Sequence, residues 1–176
     1  MVKKNITWYD IKQGCMATRL YLSLFILYAL TACNKYKTEG NVQTNSTFAD
    51  TLRLSSEAIQ VGANTFYLKT SLWRDFMPQS PPNGKPLICV SDLIEKDSLP
   101  IPANVKLIKQ YVVCGNDIWT DQYSGINSYQ SFILEGTTRN GPKWGPDVLV
   151  DVICEFQIGN SIFRLIARQQ KIIRTV

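Results

Sequence analysis

Histidine is absent from the 176-residue sequence. Without an imidazole the chain has no Ser-His-Asp triad, no Cys-His dyad, no histidine metal ligand and no general base of the kind most common near neutral pH. Cysteine occurs five times, but nowhere as a Cys-x-x-Cys pair, so the usual zinc and thioredoxin-like motifs are also missing. The sequence therefore predicts no catalytic residue, no metal site and no cofactor.

A strong basic charge is also lacking once the N-terminal region is set aside. The whole chain has 19 basic and 14 acidic residues and a formal net charge of +5. Residues 1–32 hold four of the basic residues and one of the acidic residues, so the remainder carries a net charge of about +2. No cluster of lysine and arginine follows, and we expect no nucleic-acid partner.

An uncharged and mostly apolar run of thirteen residues extends from Leu20 to Ala32. It is shorter than the roughly 20 residues that a membrane-spanning helix needs, and it has the length of the apolar region of a signal peptide. Four basic residues precede it. We predict that residues 1–32 form a helical signal peptide that is removed, with Met16 as an alternative start.

The last residues of this run and the residue after it are Leu30-Thr31-Ala32-Cys33, and this tetrad resembles the lipobox of bacterial lipoproteins. The resemblance implies that the Cys33 thiol carries lipid, with palmitate among the acyl chains, and that Cys33 begins the mature protein. Two or three acyl chains anchor a protein stably, at about 0.8 kcal/mol per buried methylene. The alternative is an ordinary signal peptide with an incidental cysteine.

The residue after Cys33 also indicates where in the cell the protein is located. Asn34 stands where some lipoproteins of the inner membrane have aspartate, and the resemblance to these sorting rules implies the outer membrane of a Gram-negative bacterium. Residues 34–50 are polar and nearly without apolar periodicity, so we predict a flexible lipidated tether over residues 33–50.

Residues 51–176 are predicted to form a single all-β domain. Thr65–Met77 and Val148–Ile158 alternate between apolar and polar residues with the period of a half-buried strand. Turn residues separate about seven such segments, which favours an antiparallel, immunoglobulin-like β-sandwich. A small β-barrel or a jelly roll is the alternative.

Three cysteines remain in this domain, namely Cys89, Cys114 and Cys154. They lie in apolar, strand-like surroundings. One interpretation is that all three are buried thiols that act as small apolar side chains. Another is a single disulfide with one thiol left over, while zinc binding or a reactive nucleophile lacks any supporting motif.

The most distinctive segment of the domain is Trp73-Arg74-Asp75-Phe76-Met77-Pro78. With the proline-rich residues that follow, it resembles small uncharacterised bacterial proteins predicted to be β-sandwiches. The resemblance covers about residues 65–120, includes Trp119, and implies a fold but no activity. The segment is either a structural corner, in which Arg74 stacks on a tryptophan, or a ligand-binding rim. The candidate ligand-binding residues are Trp73, Arg74, Asp75 and Trp119.

Four carboxylates could instead serve a glycan hydrolase, namely Asp75, Asp117, Asp121 and Glu135. Such an enzyme needs two carboxyl groups about 5–10 Å apart in one cleft.

Two short segments, Asp50-Thr51-Leu52 and Asp97-Ser98-Leu99, resemble the sites at which certain anaerobic Gram-negative bacteria O-glycosylate exported proteins. This resemblance makes Thr51 and Ser98 candidate glycosylation sites.

Taken together, these patterns predict a lipid-anchored protein of the cell envelope rather than an enzyme. Its domain is expected to be a non-catalytic binding or accessory module, held at the membrane through Cys33. An envelope protein or a glycan is the expected partner. The alternatives are a purely structural or assembly role and, less favoured, the carboxylate-dependent glycan hydrolase.

Overall fold

The computed structural model describes residues 40–176, so the predicted signal peptide and Cys33 lie outside the described residues. Ten strands and one helix follow one another in this part of the chain. They are β1 (Val42–Thr44), α1 (Ser46–Arg53), β2 (Ala58–Val61), β3 (Asn64–Asp75), β4 (Leu87–Glu95), β5 (Val105–Cys114), β6 (Asp117–Gln122), β7 (Gly125–Gln130), β8 (Ile133–Gly141), β9 (Leu149–Ile158) and β10 (Ser161–Thr175).

The strands form two sheets that face each other. Sheet A has the order β1-β6-β5-β9-β10, and sheet B has the order β3-β4-β8-β7 with β2 beside β3. Strand β10 joins the sheets along one side, because it pairs with β9 up to Lys171 and with β3 from Ile172 onward. The orders β6-β5-β9-β10 and β3-β4-β8-β7 are those of an immunoglobulin-type sandwich. The predicted all-β, immunoglobulin-like sandwich is confirmed.

Strand number and direction differ in part from the prediction of about seven antiparallel strands. Strands β1 and β2 have only three and four residues, too few for an alternating pattern to reveal. The β10–β3 pair is parallel. Strand β10 reaches β3 after a bulge between Ala167 and Gln170, where Gln169 has a φ of 53°, and such a bulge bends a strand.

The structure corrects the predicted tether, which was expected to run to Asp50. Residues 42–50 contain β1 and more than half of α1, so they belong to the folded domain. Ala49 and Leu52 of α1 are fully buried. The apolar face of this two-turn helix is too short to show a periodicity in the sequence.

Helix α1 covers the outer face of sheet A. It begins after Asn45, whose side chain accepts a hydrogen bond from the Phe48 N–H at 2.9 Å, and such a cap contributes about 1 kcal/mol. At the other end, Arg53 Nε donates to Asp151 Oδ2 at 3.1 Å. The apolar side of α1 packs on sheet A residues Tyr111, Val113, Ile118, Ile153 and Ile166. Helix α1 therefore covers part of the outer face of sheet A.

Two aromatic side chains close the side of the sandwich opposite β10. The Trp119 indole lies against Gly141, where a Cβ atom would stand 2.6 Å from the ring, and the Tyr123 ring lies against Gly136 in the same way, at 2.4 Å. Contacts this short are not tolerated, so each ring depends on the missing side chain of a glycine on β8. Because its ring packs against Gly141, Trp119 lies between the sheets and not on the surface.

Candidate functional site

Arg74, a candidate ligand-binding residue, is buried, with 1% of its surface exposed. Its guanidinium lies 5.0 Å from the centroid of the Phe76 ring, so the stacking partner is Phe76 and not the predicted tryptophan. It joins the β3–β4 loop to the β8–β9 loop, as expected for a structural corner. The acceptors of its hydrogen bonds include the carbonyl oxygens of Asn83, Lys85, Lys143 and Gly145.

Trp119 is equally inaccessible. It is 1% exposed, and its indole also contacts the backbone at Gly40, where a Cβ atom would lie 3.1 Å from Cδ1. The remainder of its surroundings is apolar core that includes Leu72 and Val112. Neither Arg74 nor Trp119 offers side-chain surface to a ligand in this structure.

The other two candidates, Trp73 and Asp75, lie on the opposite side of β3 from Arg74 and are partly exposed. Asp75 Oδ2 accepts from Lys85 Nζ at 2.7 Å, and its other oxygen accepts from the Met77 N–H at 2.9 Å. Because side chains alternate across a strand, the predicted rim divides into an exposed pair and a buried pair.

Trp73 belongs to the outer face of sheet B, whose residues come together only through the pairing of the strands. Here we name it the open face, since the only helix of the described chain covers sheet A instead. Trp73 lies beside Ile88 of β4 and Ile173 of β10 in the strand register. At the other end of β3, Tyr67 is 38% exposed. The open face comprises Tyr67, Lys69, Ser71, Trp73, Ile88, Val90, Asp92, Glu135, Thr137 and Ile173.

A row of polar residues crosses the centre of the open face. The register places Lys69 of β3 opposite Asp92 of β4, Asp92 opposite Glu135 of β8, and Glu135 opposite Asn127 of β7. Burial raises the pKa of Asp92, the charge of Glu135 raises it further, and Lys69 opposes both effects. Two neighbouring carboxylates of like charge weaken a sheet, and Lys69 is placed beside only one of them, Asp92.

We predict that Asp92→Asn stabilises the domain at pH 7 by up to about 1 kcal/mol, because it removes both the cost of burying a charged carboxylate and the repulsion from Glu135. The pKa of Asp92 is higher in the folded than in the unfolded state, so the penalty is full above the folded-state pKa. It disappears as the pH falls below the ordinary value of 3.8. Urea unfolding of both proteins between pH 3 and pH 8 measures this difference.

Asp75→Asn is the matched control for Asp92→Asn and has the opposite sign. The hydrogen bond from Lys85 and the Met77 N–H lower the pKa of Asp75. Its ionised form therefore stabilises the fold above the ordinary pKa, and this contribution is lost as the pH falls. Stabilisation by both variants, or by neither, would contradict this account of the two carboxylates.

The four acids considered for a hydrolase do not meet in one cleft. Asp117 and Asp121 lie on β6 in sheet A, and Asp117 accepts a hydrogen bond from Thr44 Oγ1 at 2.5 Å. Glu135 lies on the open face and Asp75 at the end of β3 beside Lys85. The carboxylate neighbour of Glu135 is Asp92, a pairing that only the strand register reveals.

The two candidate glycosylation sites have different surroundings. Thr51 is exposed on α1, and its hydroxyl donates to the Thr47 carbonyl oxygen at 2.8 Å. Ser98 is exposed in the β4–β5 loop with a φ of 59°. Glycosylation stays a prediction for both.

The thiols of the described chain are free, with Cys89 and Cys154 buried and Cys114 half-buried. Within residues 40–176, no three side chains of the metal-binding types come together. The helix in this range is not long and apolar enough to cross a membrane.

No protein-family model, no curated protein and no solved structure matches this chain.

Proposed function

We propose that the protein is a lipoprotein of the bacterial cell envelope, anchored through lipid on Cys33 to the outer membrane of a Gram-negative bacterium. Its sandwich acts as a non-catalytic module that binds another protein of the envelope through the open face. The observation that supports this function is the difference between the two outer faces of the sandwich. Helix α1 covers the centre of sheet A, while no helix of the described chain covers sheet B, which presents the aromatic Tyr67 and the aliphatic Ile173 to solvent.

The composition of the open face favours a protein as its partner. Aliphatic side chains such as Val90 and Ile173 accompany the aromatic Trp73 and Tyr67, and this mixture of apolar groups is typical of the centre of a protein interface. Residues at such positions are commonly the strongest contributors to affinity when they are aromatic.

Charge complementarity defines the partner further. Asp92 and Glu135 lie side by side in the polar row, and Lys69 faces only one of them. A lysine or arginine on the partner would relieve the repulsion between the two carboxylates and would be flanked by apolar contacts. The expected partner surface is therefore apolar with a basic residue at its centre, and two copies of this acidic face would repel each other.

The anchor is tested by Cys33→Ala in the full chain. We expect this variant to lose incorporated radioactive palmitate and to move from the membrane fraction to the soluble fraction. Cys114→Ala is the control, since Cys114 is half-buried in the domain, and it should keep both label and location. Unchanged membrane retention of Cys33→Ala would refute lipidation.

The open face is tested by photo-crosslinking in living cells. A benzoylphenylalanine residue is placed at Ser71, which is exposed on this face, or at Lys106, which is exposed on sheet A. We expect a protein adduct from position 71 alone. Trp73→Ala should abolish it, and Asp92→Asn combined with Glu135→Gln should reduce it several-fold.

Three results would count against the open face as a protein-binding surface. These are equal adducts from the two faces, an adduct that the three substitutions leave unchanged, and an adduct that glycosidases remove but proteases do not. The last of these would replace the protein partner by a glycan.

A further inference from the structure

Helix α1 leaves part of the outer face of sheet A uncovered. Tyr111, Ile153 and Ile166 pack under the helix, and the residues two positions further along the same strands face the same way, because side chains alternate across a strand. The strand register places two rows of side chains on this uncovered part. The first row is Gln122, Lys109, Glu155 and Arg164, and the second row is Lys106, Gln157 and Ile162.

These two rows, which lie within the described chain, contain three cations and one carboxylate. Lys109 Nζ lies 3.4 Å from Glu155 Oε1, and Arg164 Nε donates to Glu155 Oε2 at 2.8 Å. The Glu155 side chain is 5% exposed, whereas those of Lys109 and Arg164 are 36% and 39% exposed, and Lys106 is exposed as well. The carboxylate lies beneath its cations, so the two rows present positive charge to solvent. Here we name them the basic surface.

The Tyr111 ring orders two cations of the basic surface. Lys109 Nζ lies 5.3 Å and Arg164 Cζ 5.8 Å from the centroid of this ring, and the Tyr111 hydroxyl donates to Glu155 Oε2 at 3.3 Å. The ring itself is buried and packs edge-on against Phe48 of α1. Side chains that are already ordered lose little conformational entropy on binding, so the basic surface is preorganised for an anionic partner.

The chain enters the domain close to the basic surface. Gly40 is the first described residue, and the Asn41 carbonyl oxygen accepts a hydrogen bond from the Thr120 N–H at 3.2 Å. Thr120 precedes Gln122 by two residues on β6, and Gln122 is paired with Lys109. With the usual spacings along and between strands, the backbone of Lys109 lies roughly 12 Å from this entry point.

The segment between Cys33 and the entry point is short and partly basic. Residues 34–39 separate Cys33 from Gly40, and they include Lys35 and Lys37. So short a segment cannot carry the domain far from a lipid on Cys33. If Cys33 is acylated, the surface nearest Gly40 therefore stays within reach of the lipid headgroups.

We propose that the basic surface docks on the anionic headgroups of the membrane that holds the lipid anchor, and that this docking directs the open face away from the bilayer. This inference rests on the proposed anchor and deepens the proposed function. The phosphates of an anionic phospholipid such as phosphatidylglycerol accept hydrogen bonds from lysine and arginine, and each cation near such a surface strengthens binding about fivefold. Because the basic surface and the open face belong to opposite sheets, docking leaves the open face accessible to its protein partner.

Photo-crosslinking in vesicles tests this orientation. The full chain isolated from membranes is reconstituted in vesicles of phosphatidylcholine, with or without phosphatidylglycerol. Benzoylphenylalanine replaces either Ile162, which is 60% exposed on the basic surface, or Ser71, which is exposed on the open face. We expect a lipid adduct from position 162 in vesicles that contain phosphatidylglycerol, and several-fold less in phosphatidylcholine alone or in high salt, which screens the attraction. Position 71 should give little lipid adduct in any of these conditions.

Two pairs of substitutions separate the basic surface from net charge. Lys106→Gln combined with Lys109→Gln should reduce the adduct from position 162 several-fold, while Arg164 is retained so that Glu155 keeps a cation. Lys69→Gln combined with Arg139→Gln is the matched control, since it removes the same charge from sheet B, and it should leave the adduct unchanged. Equal reduction by the two pairs, or no reduction by the first pair, would overturn the proposal.

Three other results would also overturn the docking of the basic surface. These are equal lipid adducts from positions 162 and 71, an adduct from position 162 that ignores phosphatidylglycerol and salt, and an adduct to a second copy of the chain in place of lipid. The intact mass of the same sample shows whether Cys33 carries acyl chains, which separates this inference from the anchor. A chain without acyl chains that still gives the phosphatidylglycerol-dependent adduct would refute the anchor and support the basic surface, whereas an acylated chain without that adduct would do the reverse.

Discussion

Arg74→Ala is expected to lower the free energy of unfolding by at least about 3 kcal/mol. The substitution removes a buried guanidinium that donates to four backbone carbonyl oxygens in two loops. A hydrogen bond to a charged group contributes about 1.5–3 kcal/mol, and the four bonds of Arg74 are partly shielded from water. Because domains of this size are stable by about 5–15 kcal/mol, the variant should unfold at much lower urea concentration, which circular dichroism measures directly.

Arg174→Ala is the matched control for Arg74→Ala. Arg174 is the register neighbour of Arg74 on β10 and lies 4.6 Å from the same Phe76 ring, but it is exposed. An exposed cation–π contact contributes about 0.5–1 kcal/mol, so this variant should remain close to the wild type. Equal effects of the two substitutions would contradict the structural role of Arg74 between the β3–β4 and β8–β9 loops.

Trp119→Ala is the second substitution with a large expected effect, about 3–5 kcal/mol of lost stability. It empties the space between Gly40 and Gly141 and opens one side of the sandwich between the sheets. The loss should appear as a lower urea midpoint and as a lower melting temperature.

Trp73→Ala separates a structural tryptophan from a binding one. Trp73 is only half-buried on the open face, and its removal should cost about 1 kcal/mol while it abolishes the crosslink from position 71. A Trp119→Ala domain of normal stability that had lost the crosslink would contradict the roles assigned to the two tryptophans.

The sandwich itself was predictable because alternation survives in the long strands. In β9, Val150, Val152, Cys154 and Phe156 were predicted on one face, and all four are buried between the sheets. Helix α1 was not predictable in this way. Its two turns bury few residues, and the surface that they cover comes from distant strands.

The candidate site was only partly accessible to sequence reasoning. Alternation along β3 separates Trp73 and Asp75 from Arg74, and this division was visible in the sequence. The proximity of Asp92 to Glu135 depends on how β4 pairs with β8, since these residues lie far apart in the chain. Likewise, the burial of Trp119 depends on two glycines of other segments, which no local pattern associates with it.

If the protein is anchored as proposed, the small number of residues between Cys33 and the described residues would limit how far the domain can stand from the membrane. If Cys33 is acylated as proposed, residues 34–39 alone separate the lipid from the described domain. Even fully extended, at 3.3–3.6 Å per residue, so short a segment reaches roughly 20 Å. A tether that ran to Asp50 would have allowed nearly three times that distance. The domain would therefore remain within a thin layer next to the bilayer. A partner would have to enter that layer in order to bind.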